Sequence, residues 1–211
     1  MALFRGPKII TNGLILSLDA ADKLSYPGSG TSWKDLTGTN SASTLINGPT
    51  FSAANLGCIV FDGTNDYVDS INVSSLTDMT IELWIYDTRS SGQRDILTYN
   101  GDLGAYTFNG DTFRTDGNSL GGRSFSGVGE PPLNQWYRFC YVKNNELYIN
   151  KTMYTGTGSD RTYGTLSFAN TRSNIGSMLN GRIASIKVYN RNLSSIEISQ
   201  NYNAVKSRYG L

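Results

Sequence analysis

The sequence predicts an all-β fold, a two-sheet antiparallel sandwich carrying one short C-terminal helix. Three observations predict it. Short apolar runs of strand length recur between turns rich in Gly, Asn and Pro. Gly alone supplies 23 of the 211 residues, and Ser, Thr and Asn are each about as common, which favours many turns over long helices. Helical periodicity occurs only near the C-terminus, whereas parallel α/β folds need a crossover helix after most strands.

The elements follow in order. Leu14 to Leu18 (LILSL) reads as the first strand. The polar stretch 26–57, opening with Pro27-Gly28-Ser29-Gly30, reads as an irregular excursion. Cys58 to Phe61 (CIVF) runs into Asp62-Gly63-Thr64-Asn65-Asp66, a tight turn. Met79 to Tyr86 alternates, with Ile81, Leu83 and Ile85 on one face and Thr80, Glu82, Trp84 and Tyr86 on the other. Asp95 to Tyr99 and Ala105 to Phe108 flank Asn100-Gly101 and read as a hairpin with a loop longer than two residues. Residues 115–134, with five glycines, Pro131 and Pro132, read as a long surface loop. Trp136 to Lys143 and Glu146 to Asn150 form a hairpin around a two-residue Asn144-Asn145 turn, since Asn tolerates positive φ. Ile183 to Tyr189 is the last strand. Ser194-Ser195-Ile196-Glu197 is a capping box, and Ile198, Tyr202 and Val205 follow at helical spacing until Gly210, so a helix is expected over 194–208. The chain divides into an N-terminal arm, 1–13, and a single domain, 14–211.

Composition excludes several chemistries. With no histidine there is no Ser-His-Asp or Cys-His triad and no His-ligated metal. A net charge of +1 with scattered basic residues argues against a nucleic-acid partner. No apolar run is long enough to predict membrane insertion, and the N-terminal stretch, broken by Thr11, Asn12 and Gly13, does not read as a signal peptide. Cys58 and Cys140 sit in apolar strand contexts and read as buried thiols, pairing only if their strands lie side by side.

Four stretches resemble the laminin-G-like branch of the concanavalin A-like lectin/glucanase jelly roll. They are Phe61-Asp62-Gly63-Thr64-Asn65-Asp66-Tyr67-Val68; Met79 to Ile85; Asn134-Gln135-Trp136-Tyr137 with Leu147-Tyr148-Ile149-Asn150; and Ile175-Gly176 with Gly181-Arg182-Ile183, Val188 to Ser194 and Glu197-Ile198. Further likeness at the ends, in Gly6 to Leu14, Leu18 to Ala21, Ser25 to Trp33, Asn47 to Phe51 and Asn201 to Ala204, resembles laminin-G-like structural proteins of tailed bacteriophages. That likeness implies a non-enzymatic virion surface protein, a capsid decoration or a tail- or fibre-associated adhesin. It would be assembled in the host cytoplasm rather than secreted. Its partners would be other virion proteins, host-surface glycans and further copies of itself as a homo-oligomer. A free carbohydrate-binding lectin-like module and a degenerate glycoside hydrolase are the alternatives on the same fold.

The sites follow from both readings. Glucanases of this fold place two glutamates and an aspartate on one strand face, as Glu-x-Asp-x-(x)-Glu; here Glu82 is followed by Trp84 and Tyr86, so no catalytic residue is expected. No cofactor is required. Asp62, Asn65, Asp66 and Asp69 fit either a structural calcium, as in laminin-G-like relatives, or Asx turns to their own backbone. One calcium ligand implied by the resemblance is missing, because Ala184 stands at its place. Trp84 and Trp136 read as core, and Trp33, in a polar loop, as an exposed sugar-stacking ring. Tyr99, Asn100, Asp102, Tyr106, Asn109, Arg114 and Arg123 complete the expected glycan site. Leu3, Phe4 and Arg5 would dock the arm on a neighbouring subunit.

Overall fold

The computed structural model describes residues 7–89, 94–99, 104–115, 122–159, 164–170 and 178–211. Its strands are β1 (Leu14–Asp19), β2 (Ser32–Trp33), β3 (Ser43–Ile46), β4 (Thr50–Ser52), β5 (Cys58–Asp62), β6 (Tyr67–Asn72), β7 (Thr80–Asp87) and β8 (Arg94–Tyr99). They continue as β9 (Gly104–Asn109), β10 (Thr112–Arg114), β11 (Ser124–Phe125), β12 (Trp136–Val142), β13 (Glu146–Ile149), β14 (Thr152–Thr155), β15 (Thr165–Phe168) and β16 (Asn180–Tyr189). The helix α1 (Ser195–Val205) follows, and one 3-10 turn (Lys206–Tyr209) extends it.

The strands form two antiparallel sheets. The first runs β14-β13-β12-β7-β16-β5-β4, with β1 also paired to β16. The second runs β11-β10-β9-β8-β15-β6-β3-β2. Ile81, Leu83 and Ile85 of β7, Phe139 and Tyr141 of β12, and Ile183, Ile186 and Val188 of β16 face the interior. They meet Val68, Leu97, Phe108, Phe113, Leu166 and Phe168 from the second sheet. Phe113 lies 5.3 Å from Phe139, and Phe125 6.2 Å from Tyr141, ring centre to ring centre, so aromatic contacts span the sandwich.

The alternation of β7 is borne out, but both of its faces are buried. Trp84 and its neighbours on the outer face lie beneath α1 and the turn after it. Trp84 stacks on Tyr209 at 4.1 Å and on Tyr202 at 5.7 Å, and Trp136 packs on Tyr209 at 5.0 Å. A second outer cluster joins Cys140, Val142, Tyr148, Tyr189, Leu193 and Ile198. The first sheet is therefore the middle layer of three. A bulge between Ile183 and Ser185 shifts the register of β16 on β7, so that Ile183 and Ile186 both point inward although they are three positions apart. At Gly181 a Cβ would stand 2.2 Å from the Tyr86 carbonyl oxygen, which explains a glycine where β16 enters beside β7.

The capping box forms: Glu197 N donates to Ser194 Oγ, and Ser194 N donates to Glu197 Oε2 at 2.9 Å. Arg191 clamps the same carboxylate at 2.6 and 2.9 Å, which together with the cap holds Glu197 well below the usual carboxylate range, at about 2.

Several expectations are corrected. The α-helix ends at Val205 rather than 208, and the last residues tighten into the 3-10 turn before Gly210 at φ 76°. The Asn144-Asn145 turn is a three-residue loop, because Val142 pairs with Glu146; only Asn145 takes positive φ, at 88°. The excursion 26–57 contains three short strands. Within 115–134, β11 pairs with β10 and puts Phe125 in the core. As expected, Cys58 and Cys140 are free and buried, in separate clusters on the outer side of the first sheet. Residues 8–10, placed in the arm, are tied to the domain: Gln200 Nε2 donates to Lys8 O, Ile10 N donates to Asn201 Oδ1, and Tyr189 Oη donates to Ile10 O.

Two outcomes follow. Trp84→Ala should lower unfolding stability by about 3–5 kcal/mol in chemical denaturation, because it empties the middle of the aromatic stack. Glu197→Gln should lower the melting temperature at neutral pH. A depressed carboxylate stabilises above its unfolded pKa and stops doing so as pH falls through its folded one. The gap between wild type and variant should therefore close as melts are repeated from about pH 4.5 down to about 2.

Candidate functional site

Glu82 of β7 is the acidic residue set above against the glucanase pattern. It is 1% exposed. Asn201 of α1 donates to its Oε2 at 3.1 Å, and its Oε1 has no hydrogen-bond partner. Its cross-strand neighbours are Cys140 and Lys187. The side chain is sealed beneath α1, out of reach of a polysaccharide. The other glutamates serve elsewhere: Glu130 on Arg94, Glu146 on the Tyr148 hydroxyl and Glu197 in the helix cap.

Where α1 crosses β12 and β13 it leaves a cleft of about 180 Å³. Arg138, Tyr148, Lys151, Ser195, Ile198 and Ser199 line it. Arg138 is 1% exposed. Its Nη1 donates to Ile198 O at 2.6 Å and its Nη2 to Asn150 O at 2.5 Å, while Nε is buried without a partner. Arg138, Lys151 and Lys206 stand 5.0, 5.3 and 5.9 Å from the centre of the Tyr202 ring. Burial and the bond to Glu146 push the Tyr148 hydroxyl well above the usual phenol range, so it stays a neutral donor.

The expected glycan residues distribute differently. Trp33 is a correction: it is fully buried, packed edge-on to Tyr26 at 6.5 Å, and cannot stack on a sugar. Tyr99 is a second: its ring is in the core, and its hydroxyl donates to Thr115 O at 3.1 Å. Arg114 and Arg123 are half-buried and close together, since Arg114 pairs with Ser124 and Arg123 N donates to Thr115 Oγ1. Tyr106 and Asn109 fall in β9, and only their backbone is described. Asn100 and Asp102, and likewise Leu3, Phe4 and Arg5, lie outside the described residues.

The acidic turn closes on itself. Asp62 Oδ1 accepts from Thr64 N at 2.7 Å and Asn65 N at 3.4 Å, and Asp66 Oδ2 accepts from Asp62 N. Asp69 points elsewhere and accepts from Ser167 Oγ. Asp62 and Asn65 are exposed while Asp66 is buried. No group of three or more metal-ligating side chains able to hold an ion is present among the described residues. Ala184, at the place of the missing ligand, is buried in the bulge with Cys58 and Trp84.

One cluster was not foreseen. Arg94 of β8 contacts Asp87 of β7 at 3.3 Å and Glu130 at 2.8 Å, so a largely buried ion pair ties the two sheets together. Burial raises the Asp87 carboxyl above its ordinary range. Asp87 ends β7 and Arg94 begins β8, but Glu130 lies 36 residues beyond Arg94, and no local signal joins it to them.

Residues 62–199 match the family model described as the concanavalin A-like lectin/glucanases superfamily. The chain belongs to the concanavalin A-like lectin/glucanases superfamily. No curated protein matches it in sequence. Among solved structures, this superfamily member is similar to Trypanosoma rangeli sialidase in complex with sialic acid, at 14% identity and a TM-score of 0.72, covering 96% of this chain and 35% of that one. It spans about a third of the length of the sialidase chains it matches. It is also similar to domain 4 of AbnA, a GH43 extracellular arabinanase from Geobacillus stearothermophilus, in complex with arabinotriose. That likeness is 12% identical with a TM-score of 0.62, and covers 90% of this chain and 98% of that one. Both likenesses establish the shared fold.

Because the carboxylates of the 62–69 turn already accept backbone and side-chain donors, chelation should leave the fold unmoved. Melting temperatures in EDTA and in millimolar calcium should coincide; a calcium-dependent rise that Asp62→Ala abolishes would place an ion at this turn.

Proposed function

We propose that the chain is a non-catalytic recognition domain on the virion surface of a tailed phage. It holds to neighbouring virion proteins and contacts host-surface glycans. The observation that carries the non-catalytic part is Glu82, shut beneath α1 and bonded to Asn201, with Trp84 where a second carboxylate would stand. Retaining hydrolysis needs two carboxyl groups about 5 Å apart across one bond. The virion setting rests on the likeness of the terminal segments to phage structural proteins. Many copies on one particle would turn weak single-site contacts into useful avidity.

A second reading, a free carbohydrate-binding module, is favoured by one finding. The arabinanase domain, solved with arabinotriose, is matched over 98% of its length.

A glycan array and a polysaccharide panel test the proposal together. Binding of a defined glycan without turnover, retained in Glu82→Gln, is expected. Turnover abolished by Glu82→Gln would overturn it. Mass spectrometry of purified virions should find the chain in the particle; a chain secreted free and absent from particles would favour the second reading.

A further inference from the structure

Arg138, Lys151 and Lys206 gather around the Tyr202 ring. Among the described residues no carboxylate lies within ion-pair distance of Arg138, Lys151 or Lys206, whereas Arg94, Arg191 and Arg208 each have one. For Lys151, exposed to water, this means little. For Arg138 it means more, because a buried guanidinium is ordinarily paired. Two of its donors reach backbone carbonyls, its Nε donor reaches nothing, and Glu82 is engaged by Asn201 instead. Three like charges gathered at one ring repel each other unless something anionic joins them.

The cleft beside them offers room for it. At about 180 Å³ it lies below the roughly 300 Å³ at which drug-sized pockets begin, so it suits one small ligand. Its wall carries two cations, Arg138 and Lys151. The hydroxyls of Ser195, Ser199 and Tyr148 are also in the wall, with Ile198 as an apolar patch. That combination fits a ring with several hydroxyl groups, a C–H face and one negative charge better than it fits a bare inorganic anion.

We infer that the cleft between α1 and β12–β13 binds the carboxylate of an acidic sugar, with Arg138 and Lys151 as its charge partners. This rests on the recognition reading above and specifies the ligand class. Lys151, the exposed one of the two cations, would meet the carboxylate first. The serine hydroxyls would take the ring hydroxyls.

Titration of the full chain with N-acetylneuraminic acid, galacturonic acid, galactose and inorganic phosphate tests it, read by calorimetry or by amide chemical shifts. The acids should bind roughly tenfold or more tighter than galactose, the worth of one charge-assisted contact. Binding should weaken as salt rises. Lys151→Glu, at an exposed position, should keep the melting temperature and lose roughly tenfold in acid affinity. Arg138→Gln should lose more; if it fails to fold, Lys151→Glu decides alone. Phosphate binding as tightly as the acids would overturn the sugar assignment. Acid binding that Lys151→Glu leaves unchanged would overturn the site. If a neutral glycan binds and the acids do not, the inference fails and the recognition reading stands. If no sugar binds at all, both fail.

Discussion

Everything in this molecule depends on burying both faces of one sheet. β7, β12 and β16 carry apolar residues in both registers, and neither set can be left wet. The inner set is covered by the second sheet. The outer set is covered by a single helix and its 3-10 extension, through Trp84, Trp136, Tyr202 and Tyr209. A sandwich needs only two layers. The third layer here explains why a chain so rich in turn residues spends its one capping box at the end.

The same cover dictates the chemistry available. It fills the outer face of β7 around Glu82 with stacked rings. It places an amide, Asn201, against the one carboxylate remaining there. It also generates the cationic cleft as a by-product of geometry, because a straight helix laid over a twisted sheet cannot touch it everywhere.

The long strands and the helix were legible because their signals are local. Alternation in 79–86 and the Ser194–Glu197 box need no knowledge of the rest of the chain. What stayed hidden depends on distant partners. β2, β3, β4, β10 and β11 are two to four polar-rich residues each, and only the neighbouring strand makes them strands. Trp33 reads as exposed from its polar surroundings, yet Tyr26 packs against it and Phe51 against Tyr26 in turn. Phe125 sits among glycines and is core all the same. The absence of an acidic pair around Glu82 was legible. Its enclosure was not, since Asn201 lies 119 residues away. The cleft draws on β12, residue 151 and α1, and no spacing in a single sequence brings these together.

The position of β16 bears on the order in which the chain is made. It is the last of the described strands in chain order, yet it lies between β7 on one side and β1 and β5 on the other. Leu14 to Asp19 must wait for partners about 170 residues downstream, and β7 keeps an open edge and a bare Trp84 until the final helix emerges. Loop closure of that length is slow, and unpaired apolar edges invite association. Folding of the first sheet therefore waits until β16 and α1 have been made, and a chain cut short before Asn180 should be prone to aggregate.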